Sequence, residues 1–226
     1  MITSLDISIN PGEILAVVGS SGSGKSLLAH SILGILPNNA TVTGAITYQG
    51  ENLTSKRQEA LRGQEIALVP QSVNYLDPLM KVGKQVRTAI KDGNAKQKQR
   101  EVFNRYQLQP QVENLLPFQL SGGMARRVLV STAVVSGAKL IIADEPTPGL
   151  DAAAVKETLG FFRELADNGS AVMLITHDIE TALKVADRIA VFYAGTTVEV
   201  APAKDFAGKG ENLRHPYSKA LWKALP

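Results

Sequence analysis

The stretch Gly19-Ser20-Ser21-Gly22-Ser23-Gly24-Lys25-Ser26 decides the fold. It fits G-x-x-x-x-G-K-[ST], the pattern of a phosphate-binding loop (P-loop). Its context fits as well: Glu13 to Gly19 reads as a buried strand, and Ser26 to Leu33 reads as a helix. Glycines at 19, 22 and 24 allow a tight turn and a close approach of backbone to ligand. Successive N–H groups then converge at a helix N-terminus, whose dipole favours an anion. In that arrangement Lys25 reaches the β- and γ-phosphates of a nucleoside triphosphate and the Ser26 hydroxyl holds Mg²⁺. The cradle runs from Gly19 through Leu27.

Composition narrows the classes. The 226 residues are enough for one large domain or a domain with an insertion. A net charge of +3 with no Lys/Arg run beyond two residues gives nucleic-acid binding no support. The absence of cysteine excludes disulfides, thiolate metal sites and iron–sulfur clusters. Met1 to Ser8 has neither the basic nor the apolar region of a signal peptide. The longest apolar run, Val128 to Ala143, contains Lys139 and is too short for a membrane span. Work at a membrane would therefore need another chain to hold this one there.

Outward from the P-loop, Leu5 to Ile9 alternates and is followed by Asn10-Pro11-Gly12, which predicts a hairpin leading into the P-loop strand. Thr43 to Tyr48 predicts a short strand in an antiparallel flap, Ser55 to Leu61 a polar helix, and Ile66 to Val69 a buried strand ending near Gln71. From Ser72 to about Val135 the pattern changes: Val82 to Ile90, Lys96 to Tyr106 and a run after Met124 through Val134 have helical spacing, while Gln111 to Leu116 is short and stops at Pro117, which reads as a helical insertion. Lys139 to Ala143 and Ala171 to Thr176 are buried-strand runs. Helices are expected over Ala152 to Ala166, with Val155, Leu159, Phe162 and Leu165 on one face, and over Asp178 to Ala186, capped by Asp178. Arg188 to Tyr193 and Thr197 to Val200 close the pattern around Gly195. The fold class is α/β: a P-loop NTPase core with a mainly parallel sheet, an antiparallel β flap and a helical subdomain inserted at residues 72–135. Residues 1–226 form one domain, of which 202–226 is a short C-terminal tail.

In a parallel sheet, chemistry collects at the C-terminal strand ends. Asp144 follows an apolar strand, where a carboxylate holds Mg²⁺. Glu145 is the choice for the base that activates water. Gln71 offers donor and acceptor to Mg²⁺ or the attacking water, and His177 suits a hydrogen bond to the γ-phosphate or to Glu145. Taken singly, Gln71 and His177 are more often surface or capping groups; their placement at strand ends reverses that. Ser121-Gly122-Gly123 opens a helix and forms a second anion site. One triphosphate does not need two, so this one is expected to meet the nucleotide of another copy.

The P-loop, Gln71, Leu120-Ser121-Gly122-Gly123-Met124, Leu140 to Glu145, Thr147-Pro148-Gly149-Leu150-Asp151 and His177 stand in the order found in ATP-binding-cassette (ABC) transporter ATPases, and the chain resembles that family over nearly its whole length. The resemblance implies ATP and Mg²⁺ as cofactors and a head-to-tail pair of ATPase subunits, identical or related. Each ATP would lie between one P-loop and the partner's signature, with Asp151 in the crossing loop. It also implies two membrane permease subunits met through Gln71 to about Leu79, an extracytoplasmic binding protein acting indirectly, no nucleic acid, and a peripheral place on the cytoplasmic face of the membrane. Ser26 to Pro37 and His215 to Pro226 resemble the oligopeptide, dipeptide and nickel importer branch, with Leu33-Gly34-Ile35-Leu36-Pro37 and Ser-Gly-Gly-Met leaning toward nickel. The tail also reads as an ordinary amphipathic helix packing Leu221, Trp222 and Leu225.

Three departures stand out. Met124 replaces the family's usual Gln, so that side-chain contact is not carried over. Pro148-Gly149 replaces Ser/Thr-Ala, which bears on loop stiffness. No residue matches the adenine-stacking aromatic that the family carries upstream of Leu5; adenine stacks elsewhere, binding is weak, or the N-terminus is incomplete. Two other classes stay open at this point. Soluble ABC ATPases of translation or DNA repair typically carry tandem cassettes, coiled-coil insertions or basic segments. A small-molecule kinase sharing only the P-loop has no need of Ser121-Gly122-Gly123.

Overall fold

The structure is a computed structural model that describes residues 2–224. The first strand is β1 (Ile14–Gly19), followed by helix α1 (Lys25–Leu33), the small strands β2 (Thr47–Tyr48) and β3 (Glu51–Asn52), α2 (Ser55–Leu61) and β4 (Ile66–Val69). A helical block follows, with α3 (Val82–Thr88), α4 (Ala95–Arg105) and α5 (Gly122–Val135). The core resumes with β5 (Leu140–Asp144), α6 (Ala152–Asp167), β6 (Ala171–Thr176), α7 (Ile179–Leu183), β7 (Arg188–Tyr193), β8 (Thr196–Pro202) and α8 (Pro216–Lys223).

The main sheet has the order β4-β5-β6-β1-β7-β8, parallel except for β8, which runs antiparallel to β7. β1 shows why the apolar run needed no alternation. Ile14, Ala16 and Val18 enter one core, while Leu15 and Val17 enter the other on the opposite face. A parallel sheet covered on both sides buries both sets.

The hairpin expected from Leu5 to Ile9 does not form. Both ladder edges of β1 are taken, by β6 on one side and β7 on the other, so no third strand can pair with it. The turn itself exists, with Glu13 N–H donating to Asn10 O. The preceding residues instead cross toward β8, where Ser4 bridges Thr196, and lay Leu5, Ile7 and Ile9 on the second core. The flap is shorter than expected. Gln49 (φ 52°) and Gly50 (φ 78°) make a turn with two positive φ values, which joins strands tightly and leaves two paired residues on each.

In α6, Leu159, Phe162 and Leu165 are buried, and Val155 packs half-buried at the start of the stripe. Asp178 caps α7 by accepting from Thr181 N–H, although the helix stops at Leu183 rather than Ala186. In α8, Leu221 and Trp222 pack as an amphipathic helix should, with Trp222 Nε1 donating to Gly208 O. Leu225 lies outside the described residues.

Candidate active site

A cavity of about 680 Å³ opens where the C-terminal ends of the parallel strands meet the P-loop. Gly19 to Gly22, Gly24 to Leu27, Gln71, Glu145 and His177 all line it. Ser23 does not: its side chain is turned inward, 5% exposed and without a partner for Oγ. The glycines divide by role. Gly22 (φ 78°) and Gly24 (φ 100°) adopt the left-handed region that favours glycine. Gly19 is ordinary in φ, but a Cβ there would stand 2.4 Å from Phe192 O of β7, so packing requires it. Gly24 caps α1 without any side-chain hydrogen bond, leaving the helix N–H groups free toward the cavity.

Lys25 is buried and its Nζ donates to Gly19 O (2.8 Å) and Ser20 O (3.0 Å), folding the loop over its own side chain. Burial lowers its pKa, and the charges of Glu145 and Asp144 offset part of that. The Ser26 hydroxyl donates to Asp144 Oδ1 at 3.2 Å, joining the P-loop to the end of β5. Burial pushes the Asp144 carboxyl above its usual range, the Ser26 hydrogen bond opposes this, and the Glu145 charge adds to it. Mg²⁺ takes oxygen ligands and needs few from the protein when phosphates supply the rest. An adjacent hydroxyl and buried carboxylate, with the Gln71 amide on the same cavity, fit that ion. Among the described residues no cluster of three His, Asp or Glu forms a self-sufficient metal cage.

Glu145 sits at φ 45°, a left-handed conformation that costs a non-glycine residue about 1–3 kcal/mol. Its Oε1 lies 2.9 Å from His177 Nδ1, while its buried Oε2 has no partner. A strained carboxylate with one oxygen held and the other unpaired, beside a phosphate cradle, is placed to accept a proton from water.

Ser121, Gly122, Gly123 and Asp151 are not part of this cavity. Ser121 caps α5 by accepting from Met124 N–H (3.2 Å), and Asp151 caps α6 by accepting from Ala154 N–H (2.8 Å). Pro148 and Gly149 make a turn closed by Leu150 N–H to Thr147 O, with Gly149 at φ 77°. This is the Pro-then-Gly arrangement of a type II turn, so the departure keeps a defined bend ahead of Asp151.

The ABC transporter family pattern matches residues 2–148. The chain belongs to the ABC transporter family. It is an ATPase of that family. It is 36% identical over 239 residues to an oligopeptide transport ATP-binding protein, OppD, of Lactococcus lactis subsp. cremoris, covering all of this chain and 70% of the relative. The OppD of Salmonella typhimurium is 31% identical at the same coverage. A putative peptide import ATP-binding protein of Brucella melitensis is 32% identical, covering all of this chain and 71% of the relative. Among solved structures, the dimeric form of a bacterial ABC transporter cassette superposes with a TM-score of 0.79 at 25% identity, covering 89% of this chain and 90% of that one. A post-hydrolysis dimeric cassette bound to ADP and Pi matches equally.

Three cavity residues carried no sequence signal that placed them in the site. Ile179, Tyr217 and Leu221 line the same space. Tyr217 also stacks on Tyr193 at 4.1 Å between ring centroids, which ties α8 to the end of β7. Its spacing matches that of any packing helix, so no signal set it apart.

Proposed function

We propose that this chain is the ATP-hydrolysing subunit of a peptide importer, working as one half of a head-to-tail pair. The observation that carries the reading is the meeting of Ser26, Glu145 and His177 on one P-loop cavity, with Asp144 held against Ser26, while the helix start at Ser121-Gly122-Gly123 lies outside that cavity. The names of the relatives above support peptides as cargo; none of them supports the lean toward nickel. Residues 72–135 act as the helical subdomain that carries the signature to the partner's nucleotide. No described helix is long and apolar enough to cross a membrane. In this reading, membrane permeases would hold the chain at the cytoplasmic face.

The P-loop N–H groups and Lys25 bind the phosphates of ATP. Ser26 and Asp144, with Gln71 nearby, would hold Mg²⁺, which when bound neutralises charge developing on the phosphate oxygens. The Glu145 carboxylate accepts the proton of the attacking water while His177, at Oε1, fixes its orientation. Ser121-Gly122-Gly123 of the second subunit closes the far side, and Asp151 lies in the crossing loop. Closure drives the permeases, and hydrolysis reopens the pair.

Glu145→Gln keeps the shape and removes the base. It is expected to abolish turnover and to retain ATP in a stable dimer on size-exclusion chromatography. Turnover at the wild-type rate would remove Glu145 from the role. Copurification with two permeases supports transport; copurification with ribosomes instead would contradict it.

A further inference from the structure

Arg126 is a buried guanidinium, 5% exposed, one turn into α5 and four residues beyond Gly122. Its Nη1 donates to Pro70 O at 2.7 Å and its Nη2 to Gln71 O at 2.9 Å. Nε has no partner, and no described carboxylate lies within ion-pair distance. A buried cation answered only by neutral carbonyls is costly, and an apolar side chain of similar volume would fill the space more cheaply. The two carbonyls belong to the peptide units on either side of the Gln71 Cα. The planar fork of arginine spans both; a lysine ammonium is a point charge and lacks that geometry.

We propose that Arg126 is a positioning residue that fixes the backbone around Gln71 to the first turn of α5, the helix whose N-terminus carries Ser121-Gly122-Gly123. The side chain of Gln71 stays exposed on the cavity while its backbone is held. Gln71 serves the chain's own nucleotide, and the signature serves the partner's. A shift of α5 on meeting the partner's nucleotide is therefore delivered to the Gln71 backbone, with Arg126 as the hydrogen-bonded link beside the packing of α5 on β4. This rests on the reading of Gln71 and of the paired sites given above.

A double-mutant cycle on the full chain tests it, with steady-state ATP hydrolysis and thermal midpoint as readouts. Arg126→Met is expected to lower kcat about tenfold or more, by misplacing Gln71, with KM for ATP and the thermal midpoint little changed. In a Gln71→Ala background the same substitution should change kcat by less than about twofold, because the residue it acts through is gone. Arg126→Lys, able to serve one carbonyl at a time, should fall between, and it carries the cycle if Arg126→Met does not fold. Equal losses in both backgrounds, or a loss that follows a fallen thermal midpoint, would overturn the proposal. Gln71→Ala at the wild-type rate would overturn it together with the role of Gln71. A wild-type chain that fails to hydrolyse ATP would contradict the functional reading itself, a separate result.

Discussion

The chain has two glycine-bearing helix starts, and they are built differently. At α1, Gly24 has φ 100°, no side chain caps the helix, and the loop encloses a buried lysine. At α5, Ser121 has φ −67° and caps the helix itself, while Gly122 and Gly123 are helical residues at which an added Cβ would meet nothing within 4 Å. The first start is held in a shape only glycine adopts readily. At the second, nothing inside the chain calls for glycine, and helical glycine costs about 0.5–1 kcal/mol against alanine. A residue that weakens its own helix and touches nothing is explained by something that approaches from outside.

The largest effect that separates the two starts is expected from Gly24→Ala. It forces a side chain into φ 100° with Ile2 Cγ1 at 2.8 Å, which predicts a loss of about 1–3 kcal/mol in stability together with loss of ATP binding. Chemical denaturation and a fluorescent-nucleotide titration check both. An unchanged midpoint would mean the left-handed cap is not required.

Gly122→Ala should move the other way in stability, gaining about 0.5–1 kcal/mol while lowering turnover. A lowered midpoint would place the need for this glycine inside the chain and dissolve the contrast.

Asp144→Asn gives the smallest shift in stability. The Asp144 carboxyl is raised from its ordinary 3.8 by burial, so the folded chain holds that proton more tightly than the unfolded one. Stability is lost as pH rises from the ordinary value through the raised one, and the loss persists above it. Asparagine removes that cost. Without nucleotide, Asp144→Asn should therefore raise Tm at neutral pH, by less as the pH is lowered, while turnover falls. An equal Tm difference at every pH would contradict the sign.

The sequence made the core legible where local chemistry and tertiary demand agreed. β1, β5 and β6 are apolar runs stopped by Gly, Asp or Thr, and the polar helix expected over Ser55 to Leu61 forms as α2. It misled at Leu5 to Ile9, where alternation reflects partial burial against the second core and the occupied edges of β1 forbid pairing. The site was legible at Lys25 and Ser26 from the P-loop pattern, and at Asp144, Glu145 and His177 because the ends of β5 and β6 deliver them beside it. The Arg126 link to Gln71 was not. Its acceptors are backbone carbonyls, which any residue supplies and no sequence pattern marks.

The central claim is that Ser121-Gly122-Gly123 of one chain completes the P-loop site of another. Two variants test it in a Glu145→Gln background: Lys25→Ala, defective in the cradle, and Gly122→Asp, defective in the signature. Alone, neither should retain ATP. Mixed, they form pairs in which one composite site carries both defects and the other carries none, so the mixture should retain about one ATP per mixed pair. A mixture that retains no more ATP than the two variants measured separately would contradict the claim.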